Sequence, residues 1–484
     1  MSVSRRARSP YAARVFTSRV MLLAVACASM DIAPTRTLYA QATTKKPPVT
    51  KPTTPAKTPA KAQPAIVDTD AQSDSGTTRF EVSGIPVILR RVSANNVVAA
   101  NLYLLGGVRQ LTTATQGIEN FFLEASERGS VKYPRDIMRN KMALLGSAIG
   151  INPGIDWTVM GLRSTVGNFD STWAILADRL IAPTLDPAEV ELVREQFVTG
   201  VKQRRDSPDG VLDFLSDSIT FAGHPYALNP IGTEASLTSM TVAKLKAYRT
   251  EQMVTSRMML VVVGNVSRTR VEKLVRESIG KLPRGTYAWT LPTPPEEQPS
   301  AYVIEKRTLP TNYLQGYFHG PTANSKDYAA LRLACAVLSG RLFAEVRSKR
   351  NLTYSVNAPF VERALSLGGL YVTTTSPDEV LSIMLDQIKQ MRDGEITTDG
   401  LERLVQQFIV TYFLDNETNA DQANMLARAV LYQGDFRRAG KFVDDLRAVT
   451  PADIRHAAAT YMTKVRWAYV GDPNRVTPAR LIRF

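Results

Sequence analysis

The sequence of 484 residues has few of the side chains that most often bind zinc, with two cysteines and three histidines. Cys27 lies in an N-terminal apolar run that we expect to be removed, which leaves Cys335 alone and excludes an intramolecular disulfide. The apolar neighbours of Cys335 predict a buried core residue. The histidines do not stand at ligand spacing from one another: His224, His319 and His456.

The sequence also lacks an apolar run long enough to form a transmembrane helix. The markedly apolar residues 20–29 follow five arginines and precede small residues, with Ala40-Gln41-Ala42 as a cleavage site. This pattern is typical of a signal peptide over residues 1–42. We therefore expect an exported protein of the periplasm or cell envelope. The residues before Cys27 match a lipoprotein signal poorly, so lipid anchoring there is not favoured.

The net charge of +14 does not indicate a nucleic-acid-binding protein. Residues 1–64 hold eleven Lys or Arg and one Asp, a net of +10 that leaves +4 for residues 65–484. Residues 43–76 are rich in proline, lysine and threonine, and they predict a disordered linker. The folded part of the chain is thus close to electrical balance, and no nucleic-acid partner is expected.

An internal repeat divides the rest of the chain into two copies of one unit. Residues 241–248 and 450–457 each predict a helix capped by threonine, and an apolar strand that ends in glycine follows each of them, at 257–265 and 466–472. Strands and helices are otherwise segregated, which predicts an α+β fold of two homologous α/β-sandwich domains, each a largely antiparallel sheet with helices on one face. The predicted parts are an N-terminal domain (77–284), a linker (285–299), a C-terminal domain (300–475) and a tail (476–484).

Residues 117–130 resemble the segment of insulinase, pitrilysin and mitochondrial-processing-peptidase-like zinc metallopeptidases that carries the inverted motif H-x-x-E-H. The two histidine positions hold Asn120 and Glu124, and the position of the general base holds Leu123. The resemblance implies a third ligand on a later helix, where Gly200 stands. Because only Glu124 could bind zinc, we expect no metal, no cofactor and no catalytic residue in this chain.

The same residues have a simpler interpretation as an amphipathic core helix, in which Ile118, Phe121, Phe122 and Ala125 are buried. The resemblance extends over most of residues 77–475. It includes the turn at 221–233, where His224 is expected to order a loop, and it implies two domains that face each other across a chamber.

Residues 339–356 resemble the family segment S-R-L-F-x-x-V-R…G-L-x-Y-S-V, with Asn351 in place of the usual glycine. The resemblance implies that Arg347 and Tyr354 bind substrate at the zinc. A guanidinium can donate several hydrogen bonds to carbonyl or carboxylate oxygens, and a phenol can donate one to an oxyanion. The alternative is that Arg347 pairs with a surface acid and Tyr354 packs at the start of a strand.

These features predict the non-catalytic subunit of a heterodimeric zinc peptidase. Its partners would be a zinc-bearing subunit of the same family and an extended peptide substrate. The alternatives are a pseudopeptidase that binds peptides at a sheet edge near residues 148–152, where Gly150 and Pro153 predict an irregular strand, and a structural subunit of an envelope complex. An active peptidase that needs no partner is the least favoured function.

Overall fold

The structure is a computed structural model that describes residues 76–484. The predicted signal peptide and nearly all of the predicted linker at 43–76 lie outside the described residues. These 409 residues belong to one compact unit and form two halves, each built on its own sheet. Between residues 76 and 484, no helix has both the length and the apolar content needed to cross a membrane.

The first half contains six strands and eight α-helices among the described residues. The strands are β1 (Thr77–Val82), β2 (Ile85–Arg90), β3 (Val97–Leu105), β4 (Ala148–Pro153), β5 (Trp157–Thr165) and β6 (Met258–Val263). The helices are α1 (Ile118–Ser126), α2 (Arg135–Leu145), α3 (Phe169–Ile181), α4 (Pro187–Asp206), α5 (Pro208–Thr220), α6 (Glu234–Thr238), α7 (Val242–Gln252) and α8 (Arg268–Glu277).

The second half, over residues 300–484, contains six strands and seven α-helices. Its strands are β7 (Ala301–Lys306), β8 (Asn312–Thr322), β9 (Thr353–Asn357), β10 (Phe360–Val361), β11 (Leu365–Thr374) and β12 (Arg466–Gly471). Its helices are α9 (Tyr328–Leu342), α10 (Pro377–Asp393), α11 (Thr398–Asp415), α12 (Asn419–Gln433), α13 (Phe442–Arg447), α14 (Pro451–Tyr461) and α15 (Pro478–Leu481). A π-helical turn, Phe343–Ser348, follows α9.

The two sheets have equivalent strand orders, which confirms the predicted duplication. The first sheet has the order β1-β2-β6-β3-β5-β4, and the second has β7-β12-β8-β11, with β9 and β10 both paired to β11. In each sheet one pair is parallel, β2 with β6 and β7 with β12, and the other pairs are antiparallel. The last strand of each half, β6 or β12, is buried along its whole length because it lies inside its sheet and is covered on both faces.

Local sequence explains why the repeated helices begin where they do. The Thr241 side chain accepts a hydrogen bond of 3.2 Å from the Lys244 amide at the start of α7. Thr450 accepts one of 3.2 Å from the Asp453 amide at the start of α14, and the Asp453 carboxylate accepts one from the Thr450 amide in return. These are the caps that the sequence predicted.

The halves contact each other by exchanging one helix each. On α5 of the first half, Val211 and Leu212 pack against Ala468 and Val470 of β12. On α12 of the second half, the apolar face packs against β3 and β6 of the first sheet. The α+β class and the two homologous domains are therefore confirmed. The sequence predicted helices on one face of each sheet, and this holds for each half taken alone. In the whole structure a helix of the other half covers the second face of each sheet.

The predicted linker and tail both pack against the folded halves. In the linker, Trp289 donates a 2.8 Å hydrogen bond from its indole nitrogen to the Leu431 carbonyl at the end of α12. In the tail, Leu481 is fully buried and the Phe484 ring lies 5.1 Å from that of Trp467. The domain limits drawn from the sequence and the chamber between the domains stay predictions.

Candidate functional site

Helix α1, which holds the positions of the missing zinc motif, is a core element. The four residues predicted to be buried in it are at most 4% exposed, which confirms the amphipathic-helix interpretation. Asn120 and Leu123 are buried with them, at 9% and 0% exposure. Glu124 is the one residue of α1 that is half-buried. The side chains that replace the ligands are thus mostly packed in the interior.

The start of α1 depends on a close approach between two glycines. Gly117 has a φ of 81°, in the left-handed region, and a side chain on it would lie 2.7 Å from the Cα of Gly232. Gly232 belongs to the turn at 221–233. In the same turn, the Asn229 amide donates a 2.8 Å hydrogen bond to the side chain of Gln116, which precedes Gly117. Glycine is required at 117 because neither the dihedral angle nor the space suits a side chain.

A buried ion pair that the sequence did not reveal fixes the first turn of α1. Glu119 is 4% exposed and Arg257 is 1% exposed, and their closest atoms are 2.9 Å apart. The Tyr248 hydroxyl also donates to the Glu119 carboxylate, and Arg257 donates to the Leu105 carbonyl at 2.9 Å. Burial and the neighbouring carboxylate raise the pKa of Tyr248 well above its usual range. The network ties α1 to α7 and β3.

A second buried arginine holds the other end of α1. Arg179 of α3 is 2% exposed and donates to the Leu123 carbonyl at 3.0 Å and to the Ser126 hydroxyl at 3.2 Å. Its guanidinium also lies 3.3 Å from the Glu127 carboxylate. Arg179 thereby satisfies one of the carbonyl groups that a helix leaves free at its C-terminus.

The donor set around α1 does not fit a zinc ion. Burial and the Glu127 carboxylate raise the pKa of Glu124, which favours its neutral form. Gly200 lies exposed on α4 and brings no ligand atom, although α4 packs against α1 through Phe197, whose ring is 5.5 Å from that of Phe121. Over residues 76–484, no group of three His, Cys, Asp or Glu side chains is placed to hold a metal ion. That this chain binds no zinc stays a prediction.

The two residues expected to bind substrate are in contact. The guanidinium carbon of Arg347, on the π-helical turn, lies 4.7 Å from the ring centroid of Tyr354 on β9 and 5.1 Å from that of Phe343. The Tyr354 side chain is 82% exposed, and no ion pair of Arg347 occurs among the described residues. The surface acid that the alternative interpretation pairs with Arg347 is not found between residues 76 and 484, whereas Tyr354 does lie at the start of β9. The proposed substrate role stays a prediction.

The turn between the two residues includes Asn351, which stands where the family segment usually has glycine. Asn351 has a φ of 51°, the left-handed conformation that glycine would adopt and that asparagine tolerates better than most residues. Its amide donates to the Arg347 carbonyl at 3.0 Å, and the Leu352 amide donates to the Val346 carbonyl at 3.0 Å. These bonds return the chain to β9, so that Tyr354 lies beside Arg347.

His224 orders the loop before α6, as the sequence predicted. Its Nδ1 atom accepts a 3.2 Å hydrogen bond from the Tyr226 amide, and burial lowers its pKa. The Tyr226 hydroxyl donates to the Asp156 carboxylate, which also accepts 2.9 Å bonds from the Tyr432 hydroxyl and the Ala364 amide of the second half. Sequence reasoning missed Asp156 because its partners lie 70 to 276 positions away.

Comparison with known proteins finds similarity to peptidase sequences. The family model described as Peptidase M16 inactive domain matches residues 239–408, from the end of the first half into α11. The uncharacterized zinc protease YmxG of Bacillus subtilis is 22% identical over 391 residues, 79% of this chain and 94% of the relative. The mitochondrial-processing peptidase subunit beta of Blastocladiella emersonii is 23% identical over 435 residues, 83% of this chain and 91% of the relative.

Solved structures share the fold at low sequence identity. A peptidase M16 inactive domain from Pseudomonas fluorescens has a TM-score of 0.76 and 19% identity, and the match covers 83% of this chain and 100% of that one. A protease from Helicobacter pylori has a TM-score of 0.75 and 16% identity, with 82% and 99% covered. Together with the altered motif on α1, these findings show a chain that is similar over most of its length to proteins of the peptidase M16, or insulinase, type.

Proposed function

We propose that this protein is the exported, non-catalytic subunit of a two-chain zinc peptidase. One observation carries the proposal: Arg347 and Tyr354 form an accessible pair in the second half, whereas the positions of the zinc ligands in the first half hold packed or non-ligating side chains. The zinc ion and its activated water would belong to a partner subunit with an intact H-x-x-E-H motif. This chain would contribute binding of an extended peptide and stabilisation of the oxyanion.

The side chains of Arg347 and Tyr354 suit a subunit that binds substrate while its partner activates water. The Tyr354 hydroxyl is free to donate one hydrogen bond to an oxyanion that forms at a scissile carbonyl. The Arg347 guanidinium, stacked on two rings, keeps its planar edge for a carbonyl or carboxylate oxygen. Stacking reduces the number of side-chain conformations, so less entropy is lost when substrate binds. Neither residue can activate water, which is why the proposal requires a partner.

The comparisons support assembly with a second chain. One relative is a subunit of a mitochondrial-processing peptidase, and its similarity extends over 91% of its own length. The resemblance thus covers the whole two-half unit rather than a short shared motif. We infer that this chain takes an equivalent place in a heterodimer of the cell envelope.

The test is to mix the purified chain with a purified family member that has the H-x-x-E-H motif and to measure cleavage of a fluorogenic extended peptide. We expect the mixture to cleave faster than either protein alone, and Tyr354→Phe to lower kcat/KM by about 100-fold. The matched control is Tyr302→Phe, an exposed tyrosine on β7 at the opposite edge of the same sheet. Failure to associate, or equal effects of the two substitutions, would contradict the proposal.

A second function is favoured by the edge of the first sheet. Among the described residues no strand lies beside the outer edge of β4, and all six residues of β4 pair with β5 without a register shift. The irregularity predicted from Gly150 and Pro153 is therefore wrong, because both residues fit the extended pairing. Such an edge can bind a peptide as an added strand, so the protein would hold peptides without cleaving them.

Fluorescence anisotropy with a labelled extended peptide and no partner protein distinguishes the two functions. Binding at micromolar concentration by this chain alone, without any gain in cleavage when the second subunit is added, supports a pseudopeptidase. Recovery of the chain from its native envelope in a large complex, with no peptide affinity, instead supports the structural role.

A further inference from the structure

A groove in the second half is lined by residues of α10 and of the C-terminal segment 480–484. None of its lining residues belongs to β9 or α1. Its volume is about 410 Å³, within the range of small-molecule sites. Apolar atoms of Leu381, Leu385 and Phe484 line one part of it, and charged side chains line the rest. Phe484 is held by its ring contact with Trp467 and by a 2.5 Å hydrogen bond from the Ser300 hydroxyl to an oxygen of its backbone carboxylate. The groove therefore has a fixed wall.

The lining of the groove is strongly basic. Lys389, Arg392, Arg480 and Arg483 line the groove together with two carboxylates, that of Asp386 and that of the final residue Phe484, which gives a net charge of +2. Asp386 already accepts a 2.7 Å hydrogen bond from the Gln390 side chain. The lining therefore favours an anion rather than a cation.

The cations in the groove are only partly used by the protein itself. Arg480 lies 3.5 Å from the Asp378 carboxylate and donates to the Ser382 hydroxyl, and Arg392 donates one bond to the Met462 carbonyl. The Nε atom of Arg392 is buried with no hydrogen-bond partner, a costly state for a charged group. Among residues 76–484, no ion pair of Lys389 or Arg483 occurs. Donors are thus left for a ligand.

The side chains of α10 that line the groove change from apolar to cationic toward the C-terminus of the helix. Leu381 and Leu385 are one turn apart, and Lys389 and Arg392 continue the same face toward the C-terminus of the helix. Eleven residues of helix span about 16 Å, so an apolar floor and a cationic end share one elongated groove. A ligand with an apolar body at one end and an anionic group at the other matches both parts at once.

We propose that this groove binds a single-chain amphiphile with an anionic head group, a carboxylate or a phosphate on an alkyl chain. The chain lies against Leu381, Leu385 and Phe484, and the head group accepts hydrogen bonds from Lys389 and Arg392. This site is independent of the proposed peptidase function, because none of its residues belongs to β9, the π-helical turn or α1.

The test is calorimetric titration of the full chain with dodecanoate and with dodecyl phosphate, each below its micelle concentration. Dodecanol and inorganic phosphate serve as ligands that lack the head-group charge or the alkyl chain. We expect both anionic amphiphiles to bind and the two partial ligands to bind at least tenfold more weakly. Lys389→Glu is expected to weaken binding of the amphiphiles by about tenfold or more, because it removes a charge-assisted hydrogen bond. The matched control is Lys246→Glu, an exposed lysine on α7.

Each outcome decides the proposal. Equal binding of dodecanol would show that the cations do not recognise the head group, and equal binding of inorganic phosphate would show that the apolar floor contributes nothing. Either result overturns it, as does an amphiphile affinity that Lys389→Glu leaves unchanged. Preferred binding of dodecanoate or of dodecyl phosphate would support it and identify the head group. A Leu385→Asp variant, checked for unchanged thermal unfolding, provides a second test, since it places a carboxylate on the apolar floor.

Discussion

Arg257 and Glu119 form an ion pair of 2.9 Å that is almost closed to water, in the first turn of the helix that would carry zinc in a catalytic relative. Removing one partner of such a pair leaves a buried charge without compensation. We therefore expect Glu119→Ala to lower the free energy of unfolding by about 3 to 5 kcal/mol, measured by urea denaturation.

The control for that prediction is the more accessible pair of Arg268 with Glu272, which are 2.6 Å apart on α8 and whose side chains are 49% and 25% exposed. Glu272→Ala is expected to cost less than about 1 kcal/mol, because solvent screens exposed charges. The double variant Glu119→Ala, Arg257→Met is expected to recover part of the loss, since it removes both charges. Equal effects of Glu119→Ala and Glu272→Ala would show that the buried pair does not stabilise the helix.

Gly117 offers a test of the turn at the start of α1. Gly117→Ala adds a side chain 2.7 Å from the Gly232 backbone at a φ of 81°, so we expect a loss of about 2 kcal/mol or more in the free energy of unfolding. Gly146→Ala is the matched control, because Gly146 has a φ of 57° but no atom within 4 Å of the added carbon. It is expected to lose only about 1 kcal/mol, from the dihedral angle alone. Similar losses at the two positions would contradict the close approach.

Arg347 should affect activity much more than stability. Because Tyr354 is exposed, their cation–π contact is expected to contribute less than about 1 kcal/mol, and thermal unfolding of Arg347→Ala should change little. In the two-chain assembly, Arg347→Ala should lower kcat/KM, and Arg347→Lys should restore only part of it, because lysine keeps the charge but not the planar edge. Arg350→Ala is the control, since Arg350 already pairs with Glu345 at 2.7 Å. A fully active Arg347→Ala assembly would exclude a role in substrate binding.

The contact between the halves should depend on pH through Asp213. Burial and the Asp217 carboxylate raise the pKa of Asp213 to about 6, with Asp209 adding to the effect and Gln315 and Arg204 opposing it. An unfolded aspartate has a pKa of about 3.9, so the folded protein holds the proton more tightly between about pH 4 and pH 6. Stability is therefore greatest below that interval and is lost as the pH rises through it.

We expect Asp213→Asn to remove this loss. Asp213 is exposed to water, and screening should reduce the effect to about 1 kcal/mol or less. The measurement is the free energy of unfolding of both proteins at several pH values from 4 to 8. The variant should gain on the natural protein as the pH rises from about 4 to about 6 and should keep that gain at higher pH. A difference that does not vary with pH would contradict the prediction.

Local patterns in the sequence correctly predicted much of each half. The caps at Thr241 and Thr450, the buried residues of α1 and the loop at His224 depend on neighbours close in the sequence, so periodicity and short motifs reveal them. The predicted irregularity of β4 was wrong, because Gly150 and Pro153 lie in an edge strand, where proline and glycine are tolerated.

The sequence by itself determined that the zinc motif is altered and that the chain is a repeat of one α+β unit, because residue types and local periodicity are enough for both conclusions. Only the tertiary structure decided that α5 and α12 cross to the sheet of the other half, that Arg257 reaches Glu119, and that Arg347 stacks on Tyr354. Arg257 and Glu119 are 138 positions apart in the sequence. Arg347 and Tyr354 are joined by a turn in which Asn351 has a positive φ. The energies of these contacts depend on burial and distance, and neither quantity can be read from the order of residues alone.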